Sequence, residues 1–226
     1  MQKGYGQFCP VAKAAEIIGE KWNLIILREL ICGNYTFNEL RHGMPKMSPT
    51  LLSRRLKELE AEKIIRKVPT PGSRSRHRYD LTPAGQAFAP IIEQIGKWGT
   101  EHATSRLDKA DYDPALLMWD MKRRIRLDFF DSKSRFVVSF QFTGVPRHQA
   151  NWWLIVHKDE ADVCLKDPGF EPDLWVESSI RTMVPVWMGK EKLRTAIRSG
   201  AITLTGKVRD VRDFPKWFGL SLFAPA

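Results

Sequence analysis

Two helix beginnings separated by a single break constrain this chain more than any other feature. They lie in TFNELRHGMPKMSPTLLSRRLKELE, residues 36–60. Thr36 and Glu39 have the spacing of a capping box, in which each side chain satisfies a backbone N–H of the other's turn. Gly43-Met44-Pro45 then interrupts the pattern. Ser48 is a good N-cap, and Pro49 suits the first helical position, where its missing N–H costs nothing. Leu52, Leu56 and Leu59 follow at i, i+4 and i+7, one stripe of a helix over residues 48–62. A helix, a break of four to five residues and a second amphipathic helix make a helix-turn-helix.

The flanking segments extend this core. Pro10 to Ile18 reads as a short helix ended by Gly19. Glu20 to Cys32 reads as a second helix, with Trp22, Ile25, Ile26 and Leu30 on one side and Gly33 suited to the left-handed position past its end. IIRKVPTP and RHRYDLT flank a Gly-containing turn, GSRS, and predict a β-hairpin. Thr82-Pro83 starts another helix, expected to run to about residue 102 with Phe88, Ile91, Ile92, Ile95 and Trp98 on one stripe. The stretch ATSRLDKADYDPA, residues 103–115, is polar, aperiodic and suited to a linker. The expected domains are therefore 1–105 and 116–226.

The charge is concentrated where the second helix and the hairpin lie. Residues 41–78 hold eleven Lys or Arg against three Glu, a net of +8 out of +10 for the whole chain. A local excess of this kind points to a polyanion as partner. Within the second helix the cations come early and the glutamates late, against the preference of the helix dipole. A helix-turn-helix offers a reason, since the N-terminal part of its second helix enters the major groove. Facing away from the leucine stripe are Thr50, Ser53, Arg54 and Lys57, residue types that contact phosphates and base edges. With their neighbours Lys46, Ser48 and Arg55, and with Arg74, Arg76 and Arg78 of the hairpin, they form the expected contact set for double-stranded DNA. Taken singly, each cation could equally be a solvated surface charge.

These residues carry a resemblance. The order CPVAKAAEIIGEKWNLIILREL, FNELRHGMPKMSPTLLSRRLKELEAEKII and HRYDLTPAGQAFAPIIEQIGKWG, over about residues 8–102, resembles the HxlR-type winged-helix regulators. The resemblance implies a homodimeric bacterial transcription factor, with a repressor as the expected output. It also implies dimerisation through the segments at about 10–18 and 83–102, where Ile91, Ile95 and Trp98 could form a seam between helices or pack within their own subunit. In several relatives a cysteine at the position of Cys9 senses oxidants or electrophiles, which makes Cys9 the redox candidate. The other reading of Cys9 is a small buried apolar residue.

The second half is built differently, and six of the eight tryptophans lie in it. From residue 116, LLMWDMKRRIRLDFF leads into strand candidates: RFVVSFQF, then NWWLIVH and DVCLK around the turn-like KDEAD, then DLWVESSI. MVPVWMG ends one helix, KEKLRTAIRSG forms another, ITLTG is a short strand, and VRDVRDFPKWFGL is a last amphipathic segment. Strands followed by helices indicate an α+β domain. The pattern DPGFEPDLWVESSIRTMVPVWMGKEKLRTAIRSGAITLTG, in a region of about 120–224, looks like the sterol-carrier-protein-like fold. That resemblance implies an apolar small-molecule effector, with Trp152, Trp153, Trp175, Met183, Trp187, Met188, Trp217 and Phe218 as candidate pocket lining. A solid core is the competing use of the same residues. Trp152 and Trp153 would point to opposite faces of one strand, so both cannot line one cavity.

Taken together, the fold class expected is α+β, a winged helix-turn-helix followed by a sterol-carrier-like domain. Other function classes find little support. Cys9, Cys32 and Cys164 and the five histidines show no zinc spacing, and no cofactor is expected. There is no G-x-S-x-G, P-loop or HExxH; Gly4-x-Gly6 follows no strand; and His148 and His157 have no evident carboxylate or nucleophile set, so catalysis is not expected. An odd cysteine count, a start without a secretory core and the lack of a run of roughly twenty apolar residues fit a cytoplasmic protein without a membrane span. The alternative function is a lipid carrier whose winged helix serves protein contacts.

Overall fold

The computed structural model describes residues 4–33, 35–70, 77–103, 107–130, 134–158 and 160–225. Residue contacts divide the chain between Ile95 and Gly96. The first unit begins with helices α1 (Pro10–Ile18), α2 (Asn23–Ile31), α3 (Phe37–Gly43) and α4 (Pro49–Ala61). A hairpin of β1 (Ile65–Pro69) and β2 (His77–Leu81) follows, then α5 (Pro83–Gln86) and α6 (Ala89–His102), the helix in which the division falls.

The helix starts expected from the sequence are made as hydrogen bonds. At α3 the Glu39 N–H donates to Thr36 Oγ1 at 3.3 Å, and the Thr36 N–H donates to Glu39 Oε2 at 2.8 Å, a complete capping box. At α4 the Leu51 N–H donates to Ser48 Oγ at 3.3 Å, with Pro49 in the first turn. Leu52, Leu56 and Leu59 are buried with Ile26, Leu27, Leu30 and Leu40. Burial of each such side chain is worth about 1.5–3 kcal/mol, which outweighs the weak propensities of the short helices.

Two helices differ from expectation. The second starts at Asn23, because Glu20 to Trp22 form a turn in which Trp22 takes the left-handed conformation, φ 86°. The Asn23 side-chain amide, donating to the Ile17 carbonyl at 2.6 Å, ties this turn to the end of α1. The helix expected from Pro83 to about residue 102 is broken at Ala87–Phe88. Pro90 is the cause suggested by the sequence: it has no N–H to donate to Gln86, so it is accommodated in the first turn of a new helix.

The hairpin is antiparallel, with Arg66 opposite Asp80 and Val68 opposite Arg78. Its stem is anchored at two points. The Tyr79 N–H donates to the Tyr35 carbonyl at 2.7 Å, and Thr82 donates through its N–H to the Ile64 carbonyl at 3.0 Å and through Oγ1 to the Lys63 carbonyl at 2.7 Å. Residues 71–76, the connection between the strands, lie outside the described residues.

The second unit contains a five-stranded sheet with order β5-β4-β3-β6-β7, where β3 is Arg135–Thr143, β4 Asn151–His157, β5 Glu160–Cys164, β6 Leu174–Ser179 and β7 Ile202–Gly206. Only the central β3–β6 pair is parallel. Alternation along the strands puts Val138, Phe140 and Phe142 of β3 on one face, with Trp152 and Leu154 of β4, Leu174 and Val176 of β6, and Ile202 of β7. That face packs with α7 (Pro114–Arg124), α8 (Ile180–Trp187), α9 (Leu193–Arg198) and α10 (Val208–Trp217). The unit is therefore α+β, but it begins with a helix rather than a strand. LLMWDMKRR becomes helical behind an Asp113 cap that accepts the Ala115 and Leu116 N–H groups at 2.8 and 3.3 Å.

Gly43 gives a direct check of the first unit's packing, because a Cβ there would collide with the wholly buried Glu29 carboxylate. Gly43→Ala is expected to lower stability by about 1–3 kcal/mol, the cost of overpacking a tight site. Urea unfolding curves of the variant and parent chain measure it, and coincident curves would contradict the contact.

Candidate nucleic-acid interface

One face of α4 is in the protein core and the other is open. Pro49, Thr50, Ser53, Arg54 and Lys57 line a shallow cleft of about 530 Å³ on the open side. Arg54 is well exposed, and its Nε lies 3.7 Å from Glu58 Oε1, a loose surface pair that phosphate or base contacts could displace at small cost. There are no acids in the first turn of α4 and no bases in its last turn. The helix forgoes roughly 0.3–1 kcal/mol per misplaced charge in dipole interactions, and its core contacts offset that easily. Ser48 is exposed with its hydroxyl committed to the cap, and Lys46 is exposed in the turn before it.

Arg55 is placed otherwise than expected. It points to the protein side of the helix, only 9% exposed, and does not share the open face with Arg54. Its Nη1 donates to Glu58 Oε2 at 2.8 Å and its Nη2 to Glu20 Oε2 at 2.5 Å. Burial works against its charge, but the bonds to Glu58 and Glu20 outweigh that and hold its pKa above the ordinary guanidinium value. Successive helical residues are turned by about 100°, which lets Arg54 keep to the open side while Arg55 turns to Glu20 on the protein side. Arg55 is a brace from the α1–α2 turn to α4.

The hairpin supplies cations from both strands. Arg78 on β2 is half exposed and pairs with Asp80, Nε to Oδ1 at 3.1 Å. Arg74 and Arg76 lie outside the described residues. Arg66 and Lys67 on β1 are exposed cations that the sequence reading passed over, although they adjoin the basic stretch. Apolar side chains on other elements are also exposed. They include Phe8 and Val11 at the start of the chain, and Ile91, Ile95 and Trp98 along α6. Cys9 is the residue before α1, partly buried, with no side-chain cap bond.

The residues expected to line an apolar pocket in the second unit fall in different places. Trp152, Met183, Trp217 and Phe218 belong to the layer between sheet and helices, and Trp187 packs against its margin. Phe214 packs against two of them, 4.9 Å from Trp217 and 5.2 Å from Phe218, ring centre to ring centre. Trp152 also donates its indole N–H to the Gln149 carbonyl at 2.8 Å. Trp153 and Trp175 are on the opposite face, both opposite Ser139 in the register, so they cannot line a cavity on the helical side. The physical reason is strand alternation, which applies to Trp175 as much as to Trp153. Met188 follows the end of α8 and is outside that layer. Among the described residues no helix is long and apolar enough to cross a membrane, and no group of three or more His, Cys, Asp or Glu could hold a metal ion.

Comparison with known proteins gives matches to this region. Residues 17–106 match the HxlR-like helix-turn-helix family. The uncharacterized HTH-type transcriptional regulator YvaP of Bacillus subtilis (strain 168) is 38% identical over 96 residues, 42% of this chain and 89% of that protein. An uncharacterized HTH-type transcriptional regulator of Methanothermobacter thermautotrophicus is 30% identical over 106 residues, 47% of this chain and 81% of that protein. Among solved structures, the redox regulator HypR in its reduced form is 31% identical, covering 43% of this chain and 97% of its own, with a TM-score of 0.40.

Arg54 and Arg55 should separate cleanly in mutants. Arg55→Met is expected to cost about 1.5–3 kcal/mol of stability, since it removes charged hydrogen bonds from a nearly buried site. Arg54→Ala should stay within about 0.5 kcal/mol of the parent. Chemical denaturation followed by tryptophan fluorescence compares them, and equal losses would remove the distinction.

Proposed function

We propose, from the premise that this chain belongs to the HxlR-like helix-turn-helix family, that it is a DNA-binding transcriptional regulator acting as a homodimer. The observation that carries the reading is the open face of α4, where Thr50, Ser53, Arg54 and Lys57 are presented together behind a capped, core-anchored helix start. In this reading the N-terminal half of α4 enters the major groove, and Arg78 with the rest of the basic hairpin follows the backbone. Arg66 and Lys67 join the contact set, while Arg55 holds α4 in place.

The exposed apolar side chains support dimerisation. Ile91, Ile95 and Trp98 recur at helical spacing on α6, and Trp98 is 61% exposed in the single chain. A second copy would remove that surface, and that of Phe8 and Val11, from water. We assign repression as the output, and a reporter placed behind the chain's own upstream region tests its sign. Cys9, beside that apolar surface at the start of α1, is the candidate for redox control; loss of oxidant-sensitive DNA binding in Cys9→Ser would support it, and an unchanged response would remove it.

The second unit is proposed as a sterol-carrier-like effector domain. Support comes from its mixed sheet covered by helices on one face, with Trp152, Met183, Trp217 and Phe218 in the apolar layer between. Its ligand would be an apolar small molecule entering that layer. Native mass spectrometry of the purified chain is the test: a co-purifying lipid or aromatic compound supports the assignment, and a clean apo dimer weakens it.

DNA affinity should fall steeply as salt rises, because bound Lys and Arg displace condensed counterions. Arg54→Ala is expected to cost about 1–3 kcal/mol on the specific site if it reads a base, and Lys57→Ala to weaken all sequences alike if it holds a phosphate. Fluorescence anisotropy with specific and scrambled duplexes over a salt series measures both. Salt-independent binding, or none to the upstream region, would overturn the reading. Trp98→Glu should shift the chain from dimer to monomer in sedimentation, and an intact dimer would refute the seam.

A further inference from the structure

A second cleft of the first unit lies where the end of α2, Tyr35 shortly before α3 and the hairpin stem meet. Its volume is about 440 Å³, within the usual range of small-molecule sites. Leu30, Ile31 and Leu81 supply apolar lining and Tyr35 an aromatic side chain. Arg66, Arg78 and Asp80 supply charge, and register puts all three on one face of the hairpin. Asp80 is shared. Its Oδ1 is 3.1 Å from Arg78 Nε, its Oδ2 is 3.3 Å from Arg78 Nη2, and the same Oδ2 is 3.7 Å from Arg66 Nη2. Two guanidinium groups against one carboxylate leave a net positive charge at the cleft.

Arg66 retains most of its donors among the described residues, since its ionic partner Asp80 is beyond hydrogen-bond length and its side chain is 66% exposed. A planar fork of donors beside an apolar, aromatic lining selects a ligand with a flat two-oxygen anion at one end and a ring at the other. A bare inorganic anion would leave the apolar lining uncovered, and a neutral ring would leave the surplus charge unanswered. We propose that this cleft binds a small aromatic carboxylate, with the carboxylate on Arg66 and Arg78 and the ring against the exposed Tyr35 and the partly buried Ile31. The hairpin stem is fastened to the cleft through the Tyr79 N–H and the Tyr35 carbonyl, so an occupant sits on the element that carries the basic hairpin. Added negative charge there, engaging Arg78, opposes contact with phosphate. This regulatory consequence rests on the DNA-binding reading; binding to the cleft does not.

Isothermal titration calorimetry of the full chain with benzoate tests the site, with benzamide as the neutral control. The expected result is saturable binding of one benzoate per chain and no comparable binding of benzamide. Arg66→Gln should weaken it about tenfold or more, the loss of one charged, two-pronged contact. Arg66 is exposed enough for this variant to fold, and its melting temperature checks that. Gln86→Trp, which narrows the cleft without touching a charge, should also weaken binding. Failure of benzoate to saturate by about 10 mM, equal binding of benzamide, or unchanged affinity in Arg66→Gln would overturn the proposal. In a separate arm, saturating benzoate should weaken DNA binding about threefold or more. If benzoate binds and DNA affinity does not change, the regulatory half is overturned; if the chain does not bind DNA at all, the DNA reading fails while calorimetry still decides the cleft.

Discussion

Burial of Leu52, Leu56 and Leu59 is the constraint on which the first unit depends. α4 leaves one whole face open and carries glutamates in its last turn, against its own dipole. Neither condition favours an isolated helix of this length. The leucine stripe supplies the difference, the Ser48 cap and Pro49 fix where the helix begins, and the Arg55 brace limits how it can roll. The open face is thus held in position by what the buried face does.

Arg54 and Arg55 show how finely this division runs. They are identical in type and adjacent in sequence, yet one faces solvent and the other reaches Glu20 and Glu58 on the protein side. Glu58 stands between them, hydrogen-bonded to Arg55 and loosely paired with Arg54. The late glutamates of α4 therefore have more than one role. Glu58 fixes the brace, and Glu60 accepts the Lys67 N–H at 3.2 Å, joining the helix to the hairpin stem. Their place at the end of the helix serves these tertiary contacts.

The second unit repeats the lesson with tryptophan. Trp152 and Trp153 are neighbours, and the period of a strand separates them to opposite faces. The same rule applies to Trp175, but this could be seen only once β6 had been paired in parallel with β3, because its face is defined relative to a strand about forty residues earlier. Aromatic composition marked the residues that matter to the core without saying which side of the sheet each would occupy. Pro90 is the converse case: a signal present in the sequence, a proline without a donor, falls in the first turn after the break in the helix that follows the hairpin.

The sequence by itself determined the local features. Caps at Thr36 and Ser48, the leucine stripe, the hairpin and the stop at Gly43 are short-range patterns, each fixed by backbone hydrogen bonding or by the period of one element. It also determined the concentration of charge, because charge is additive along the chain. Tertiary structure alone decided which cation stays exposed and which is a brace, since that depends on Glu20, thirty-five residues from Arg55. It alone brought Tyr35, Arg66 and Asp80 around one cleft and sorted the tryptophans between two faces. Those facts depend on which distant residues come within a few ångströms of one another, and periodicity within a single element carries no record of that.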